Sequence, residues 1–189
     1  MEQNLSQARH TNLLVPAKVL RLGDRTLRLR SHPVTDPTGP AVQTLIEQLM
    51  ATAAARSGVG IAAPQLGVRQ RLFIVASRPN ARYPHAPTMA PTALINPVIT
   101  ARSAAIDLGW EGCLSVPGWR GEIARSQQLE VEYLDRQGRL QQRVFTGFVA
   151  RIIQHEYDHL NGTLFLDRVA HTRHLLSETA YQAQVLPVS

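Results

Sequence analysis

His155-Glu156-Tyr157-Asp158-His159 sets two histidines four residues apart. On an α-helix that spacing stacks both imidazoles on one face, about one turn apart, within reach of a single metal ion. The glutamate beside the first histidine is then placed to take a proton from water that the metal polarises. This is the chemistry of a metal-dependent hydrolase working near neutral pH.

The elements that must position these side chains are visible around them. Phe148, Ile152, Ile153, Tyr157 and Leu160 recur at helical steps, which predicts an amphipathic helix. Thr146 is a candidate cap at its start, and Asn161-Gly162 a left-handed stop at its end. A catalytic site of the zinc type needs a third protein ligand. Downstream, Glu178, His171 and His174 fit none of the usual metalloprotease patterns. Upstream lies Glu111-Gly112-Cys113-Leu114-Ser115, where a cysteine beside a glycine makes a good third ligand. A soft thiolate donor favours Zn or Fe(II) over Mg or Ca.

Gly58-Val59-Gly60-Ile61-Ala62-Ala63-Pro64-Gln65 matches the G-x-G-x-x-A pattern of dinucleotide binding on its face. The context is wrong for that, because the segment follows a helical pattern and Pro64 falls where a helix should open. It reads better as a backbone edge that a peptide can approach closely, with Gln65 offering an amide.

Further out, Asp36 to Ser57 reads as a helix with Val42, Leu45, Ile46, Leu49, Met50 and Ala53 as its apolar stripe, stopped by Gly58. Leu72-Phe73-Ile74-Val75 is a short buried strand. Residues 77–92 are proline-rich and read as a surface loop. Leu94-Ile95 and Val98-Ile99 form a strand interrupted at Asn96-Pro97. Leu129, Val131 and Tyr133, the turn Asp135-Arg136-Gln137-Gly138, then Leu140, Gln142, Val144 and Phe145 make a β-hairpin with one buried face. Leu164-Phe165-Leu166 packs back, and residues 168–183 read as a basic terminal helix. Strands followed by a helix imply an α+β fold: antiparallel β-sheets around a central metal-binding helix, with an N-terminal and a C-terminal helix.

The chain has 189 residues, 44% hydrophobic and 18% charged, which suits one globular catalytic domain, with residues 1–18 read as an irregular N-terminal extension. No apolar run approaches the roughly 18 residues of a membrane helix. Met1 to His10 is polar, so a secretory signal is not expected. A short organellar presequence stays open for the stretch holding Arg9 and Lys18. The lone Cys113 cannot form an intrachain disulfide, which fits a reducing cytoplasm. Net charge is +6, and Lys18 is the only lysine among twenty basic residues. Scattered arginine without a base-reading module argues against specific DNA recognition and leaves RNA as a weak neighbour.

Together, the Gly58–Gln65 segment, Glu111–Ser115 and Gln154-His155-Glu156-Tyr157-Asp158-His159-Leu160 resemble the three signature motifs of the peptide deformylases, in the right order and at similar separations. The resemblance runs from about Val19 to Arg168 and includes Ile95-Asn96-Pro97, Val116-Pro117-Gly118 and Leu164-Phe165-Leu166-Asp167. It implies removal of the formyl group from the N-terminal formyl-methionine of nascent polypeptides. By similarity, Cys113, His155 and His159 bind one divalent metal, natively Fe(II), with Zn(II) or Ni(II) able to replace it. Glu156 is the implied general base, while the Gln65 amide and the Leu114 backbone N–H stabilise the oxyanion. Val59, Ile152 and His155 border the methionine pocket, Gly60 pairs its backbone with the peptide in strand-like fashion, Arg120 contacts the peptide backbone, and Glu111 supports the pocket, paired with Arg125. The resemblance also implies a cytoplasmic enzyme near the ribosomal exit tunnel, with His171, Arg173 and His174 as candidate rRNA contacts. Two rivals remain at this point: a peptidase that would not need Cys113, and a binding-only relative that would have lost Glu156 or Gln65.

Overall fold

The computed structural model describes residues 16–185. The part of the expected N-terminal extension before residue 16 therefore lies outside the described residues. The chain builds α1 (Pro40–Ala55), β1 (Gly60–Ala62), β2 (Leu72–Val75), β3 (Thr92–Arg102), β4 (Ile106–Cys113), β5 (Val116–Ser126), β6 (Gln128–Leu134), β7 (Leu140–Thr146), α2 (Gly147–Leu160), β8 (Leu175–Ser177) and α3 (Glu178–Gln184). One antiparallel sheet has the order β1-β2-β3-β6-β7 and a second the order β4-β5-β8. Helix α2 packs against strands of both sheets, so the expected α+β arrangement with a central helix is the one observed. Among the described residues no helix is long and apolar enough to cross a membrane.

Helix α1 starts at Pro40, whose fixed φ suits a first helical position, so it is shorter at both ends than the Asp36–Ser57 read from periodicity. Its stripe of Val42, Leu45, Ile46, Leu49 and Ala53 is buried, each large aliphatic contributing about 2 kcal/mol. That stripe meets Leu72, Ile74 and Ile95 on one face of the larger sheet, while Phe73, Val75 and Leu94 on the other face meet α2. Strand β2 is thus covered on both sides, which is why its four residues are all apolar.

Three expectations need correction. The strand expected to break at Asn96-Pro97 continues through them as β3. Asn96 takes φ +50°, the pairing with β6 slips there, and the Asn96 amide clasps the Val34 backbone at 2.8 Å in both directions. The hairpin β6–β7 forms, but Leu140 and Val144 are exposed. Register explains it: buried Leu129, Val131 and Tyr133 pair with Phe145, Arg143 and Gln141, so the even-numbered residues of β7 face outward. The Asp135 turn sets that register, its carboxylate accepting from the Gln137 and Arg139 amides. Finally, residues 168–183 are not one basic helix. Leu175–Ser177 pairs with Trp119, Arg120 and Gly121 of β5 as strand β8, and α3 follows with no basic residue, Ser177 capping it through the Ala180 N–H.

Candidate active site

Helix α2 presents His155, Glu156 and His159 inward, as the four-residue spacing requires, and all three are buried. Thr146 sits at the cap position but its side chain makes no capping bond. At the other end Gly162 takes φ +74°, and a Cβ there would stand 2.5 Å from the Arg28 carbonyl, so only glycine ends the helix this way. Strand β4 ends at Cys113, with the Ser115 N–H 3.4 Å from its sulfur.

The Cys113 sulfur and one nitrogen from each of His155 and His159 all lie within 4.8 Å of one another, buried. His159 Nε2 is 3.3 Å from the sulfur. His155 Nδ1 meets the Glu111 carboxylate at 2.9 Å, which leaves Nε2 for the centre. Burial opposes a thiolate at Cys113, yet the charge of His159 and contacts with both imidazoles hold the thiol well below its ordinary value. Burial likewise opposes a charged His155, but Cys113 and Glu111 raise its pKa well above the usual imidazole range. A thiolate and two imidazoles converging in a buried pocket fit a metal ion of the zinc or iron type.

Glu156 lies beside this triad. Burial pushes its carboxyl up to about 7. Its Oε2 has no hydrogen-bond partner among the described residues, and neither has His159 Nδ1. A buried carboxylate oxygen left bare beside three converging ligands is the expected mark of a base that works on a molecule not belonging to the protein. Gly60 makes the approach to that carboxylate open: a Cβ there would lie 2.5 Å from Glu156 Oε1 and 2.8 Å from Ile152 Cγ2.

Gln65 sits in the turn Ala63–Leu66 after β1. Its Oε1 accepts from the Ala62 N–H at 2.8 Å, which aims Nε2 at Cys113 (3.5 Å) and Ser115 Oγ (3.1 Å). The pocket beside the triad is bordered by Val59, Gly60, Leu114 and Ile152, all nominated from sequence. It is also bordered by Tyr83, Trp110 and Phe148, which were not nominated as site residues. Tyr83 comes from the proline-rich loop and packs against Phe148 with ring centroids 5.0 Å apart and planes tilted by 51°, so this loop is a wall of the site rather than mere surface.

Glu111 lies behind the pocket. Its two oxygens accept from Arg125 at 2.8 and 2.9 Å, one also from Arg151 at 3.1 Å, and the other meets His155. Burial opposes its charge, but Arg125 and His155 hold its carboxyl well below the usual range. Arg125 also donates to Asp158 at 2.7 Å. Arg151 precedes His155 by one helical turn, so its inward direction was readable from spacing. It donates to the carbonyls of Asp107 and Gly109 on β4, at 2.8 and 3.1 Å, and to that of Ile123 on β5 at 2.8 Å. Arg120, nominated for the peptide backbone, lines a groove that adjoins this pocket; its guanidinium is buried and donates to Glu178 at 2.7 and 3.0 Å and to the Tyr83 hydroxyl at 2.9 Å.

With this geometry in place, comparison with known proteins decides the lineage. The profile of the polypeptide deformylase family matches residues 16–174. The chain belongs to that family. It is therefore a metal-dependent hydrolase that deformylates nascent peptides. Peptide deformylase 2 from a Nostoc species is 54% identical over 167 residues, covering 88% of this chain and 93% of its own. The deformylase of Roseiflexus castenholzii is 41% identical, covering 87% and 91% respectively. Among solved structures, the Met-Ala-Ser-bound class I type b deformylase from Acinetobacter baumannii superposes with a TM-score of 0.80 at 46% identity, over 82% of this chain and 99% of that one.

Proposed function

We propose that Cys113, His155 and His159 hold one divalent metal, Fe(II) natively with Zn(II) or Ni(II) able to replace it, and that the surrounding residues run deformylation as follows. When bound, the metal supplies a Lewis acid that lets water ionise near neutral pH. Glu156 takes the proton at its bare Oε2 and passes it to the leaving amine. As the formyl carbonyl becomes tetrahedral, Gln65 Nε2 and the Leu114 N–H donate to its oxyanion. Val59 and Ile152 hold the methionine side chain, and the Gly60 backbone pairs with the peptide as a strand would. Formate leaves, and the free amine remains on the peptide.

The observation that carries this reading is the convergence of one sulfur and two ring nitrogens within 4.8 Å, beside a buried carboxylate with an unpartnered oxygen. Formate release from formyl-Met-Ala-Ser by metal-loaded protein tests it. Activity should vanish in Glu156→Ala and on chelation, and metal analysis should find one equivalent, lost in Cys113→Ala. Gln65→Ala should cost roughly 3 kcal/mol of barrier. Turnover that survives Glu156→Ala would reject the assigned base.

The same reading makes residues 1–189 one catalytic domain in the cytoplasm, meeting its N-formyl-methionyl substrates near the ribosomal exit tunnel. Of the nominated rRNA contacts, His174 faces Glu122 at 2.8 Å, and all three lie ahead of α3 rather than on it. Salt-dependent cosedimentation with ribosomes, lost on Arg173→Glu, checks that contact.

A further inference from the structure

A second hollow, a groove of about 930 Å³, adjoins the metal pocket. It shares Arg82, Gly112, Cys113 and Leu114 with that pocket, so the two form one cleft. A peptide whose formyl end lies at Cys113 has this groove as its way out. Leu20 and Trp119 give it apolar walls, and Lys18, Arg21, Arg56 and Arg82 line it with positive charge. The opposing carboxylates are Asp24 and Glu178. Glu178 is engaged by Arg120, and Asp24 accepts the Thr26 N–H at 2.8 Å. None of the four lining cations is in an ion pair among the described residues. Arg82 is fixed in place, donating to the carbonyls of Arg56 and Ser57, both at 2.7 Å, at the end of α1.

Arg120, the cation expected to serve the peptide, is neutralised by its own glutamate. The charge left to a substrate is that of the groove. We propose that this groove binds the stretch of nascent chain that follows the formylated residue and selects acidic side chains there. At the rise of an extended strand, about 3.3 Å per residue, roughly the third to fifth residues of the substrate lie along it. The proposal rests on the deformylase reading and adds a substrate class to it. The attraction is between exposed charges, so it acts on capture of the peptide more than on chemistry.

The test compares formyl-Met-Ala-Glu-Glu-Ser, formyl-Met-Ala-Lys-Lys-Ser and the short formyl-Met-Ala on metal-loaded, full-length protein. At low salt kcat/KM should be about tenfold higher for the glutamate peptide than for the lysine peptide, mostly through KM. The ratio should fall toward unity as salt shortens the Debye length to about 8 Å or less. Calorimetric affinities of the deformylated Met-Ala-Glu-Glu-Ser and Met-Ala-Lys-Lys-Ser should follow the same order. Arg21→Glu combined with Arg56→Glu should abolish or invert both preferences. Equal rates, a lysine preference, or a preference untouched in a double variant that melts like the parent would each overturn the proposal. If formyl-Met-Ala is turned over while the longer peptides show no charge preference, the groove assignment alone fails. Silence from all three peptides overturns the underlying reading with it.

Discussion

Two arginine–glutamate pairs flank the metal pocket, one behind it and one in front. Arg125–Glu111 is sealed, its side chains 6% and 4% exposed, and it passes its charge to His155 Nδ1. Arg120–Glu178 has the same forked geometry, but its glutamate is 30% exposed, and it reaches no metal ligand. It ties α3 to the Tyr83 loop instead. The same pair of residue types thus does two different things. A sealed carboxylate can orient an imidazole because nothing else competes for it. A half-open one fastens a wall that water and substrate can still reach.

Removing the rear carboxylate should break this comparison most severely. Glu111→Ala leaves Arg125 and Arg151 facing a buried gap, an expected loss of about 3–5 kcal/mol in chemical denaturation. Metal affinity should drop about 10- to 100-fold in equilibrium dialysis, because His155 loses its orienting partner. Glu111→Gln, if it folds better, should keep the affinity loss.

The front pair should respond less. Glu178→Gln is expected to cost about 1.5 kcal/mol at neutral pH, allowing for the exposure of the carboxylate. Its pH dependence sharpens the contrast. The Arg120 hydrogen bonds hold the Glu178 carboxyl below its ordinary value. Its stabilisation is therefore complete above the unfolded value of about 4.3 and lost as pH falls through the depressed folded value. Parent and Glu178→Gln melting temperatures should converge in that acid window; a constant gap would show that the contact is not ionic.

Tyr83→Phe removes one acceptor from Arg120 and should cost about 1 kcal/mol, with a higher KM as the wall loosens. Arg168→Ala should matter least. It strips a half-exposed partner from Asp158, which keeps Arg125, so thermal unfolding should register under about 1 kcal/mol.

The contrast also marks where sequence was legible. The rear region hangs on α2, whose spacing shows both histidines, Glu156 and even Arg151, because helical periodicity reports direction. Helix α1 and β2 were legible for the same reason, through burial on one face or two. The front region was not. Strands β4 and β5 are broken by Gly109, Gly112, Gly118 and Gly121, so no apolar alternation announces them. Strand β8 is made by pairing with β5, a tertiary demand that overrides the helical look of residues 168–183. Tyr83 sits in a proline-rich stretch whose composition says loop and nothing about what the loop covers. The glycine-flanked segments pointed to Cys113 and Gln65, and motif resemblance gave them roles. It also nominated Arg120, whose neutralising glutamate stands 58 residues away, beyond any local pattern.

Strand β4 is the edge of its sheet, and Ile106 and Leu108 on it are exposed. A bare apolar edge is a template on which a second chain can add its own strand. Arg151 leaves that edge open but reaches the Gly109 and Ile123 carbonyls together, so it fastens β4 to β5 across the face of the sheet. The residue that braces the Glu111 network thereby also keeps an exposed edge strand in its sheet, and its loss should show first as aggregation at concentrations where the parent stays clear.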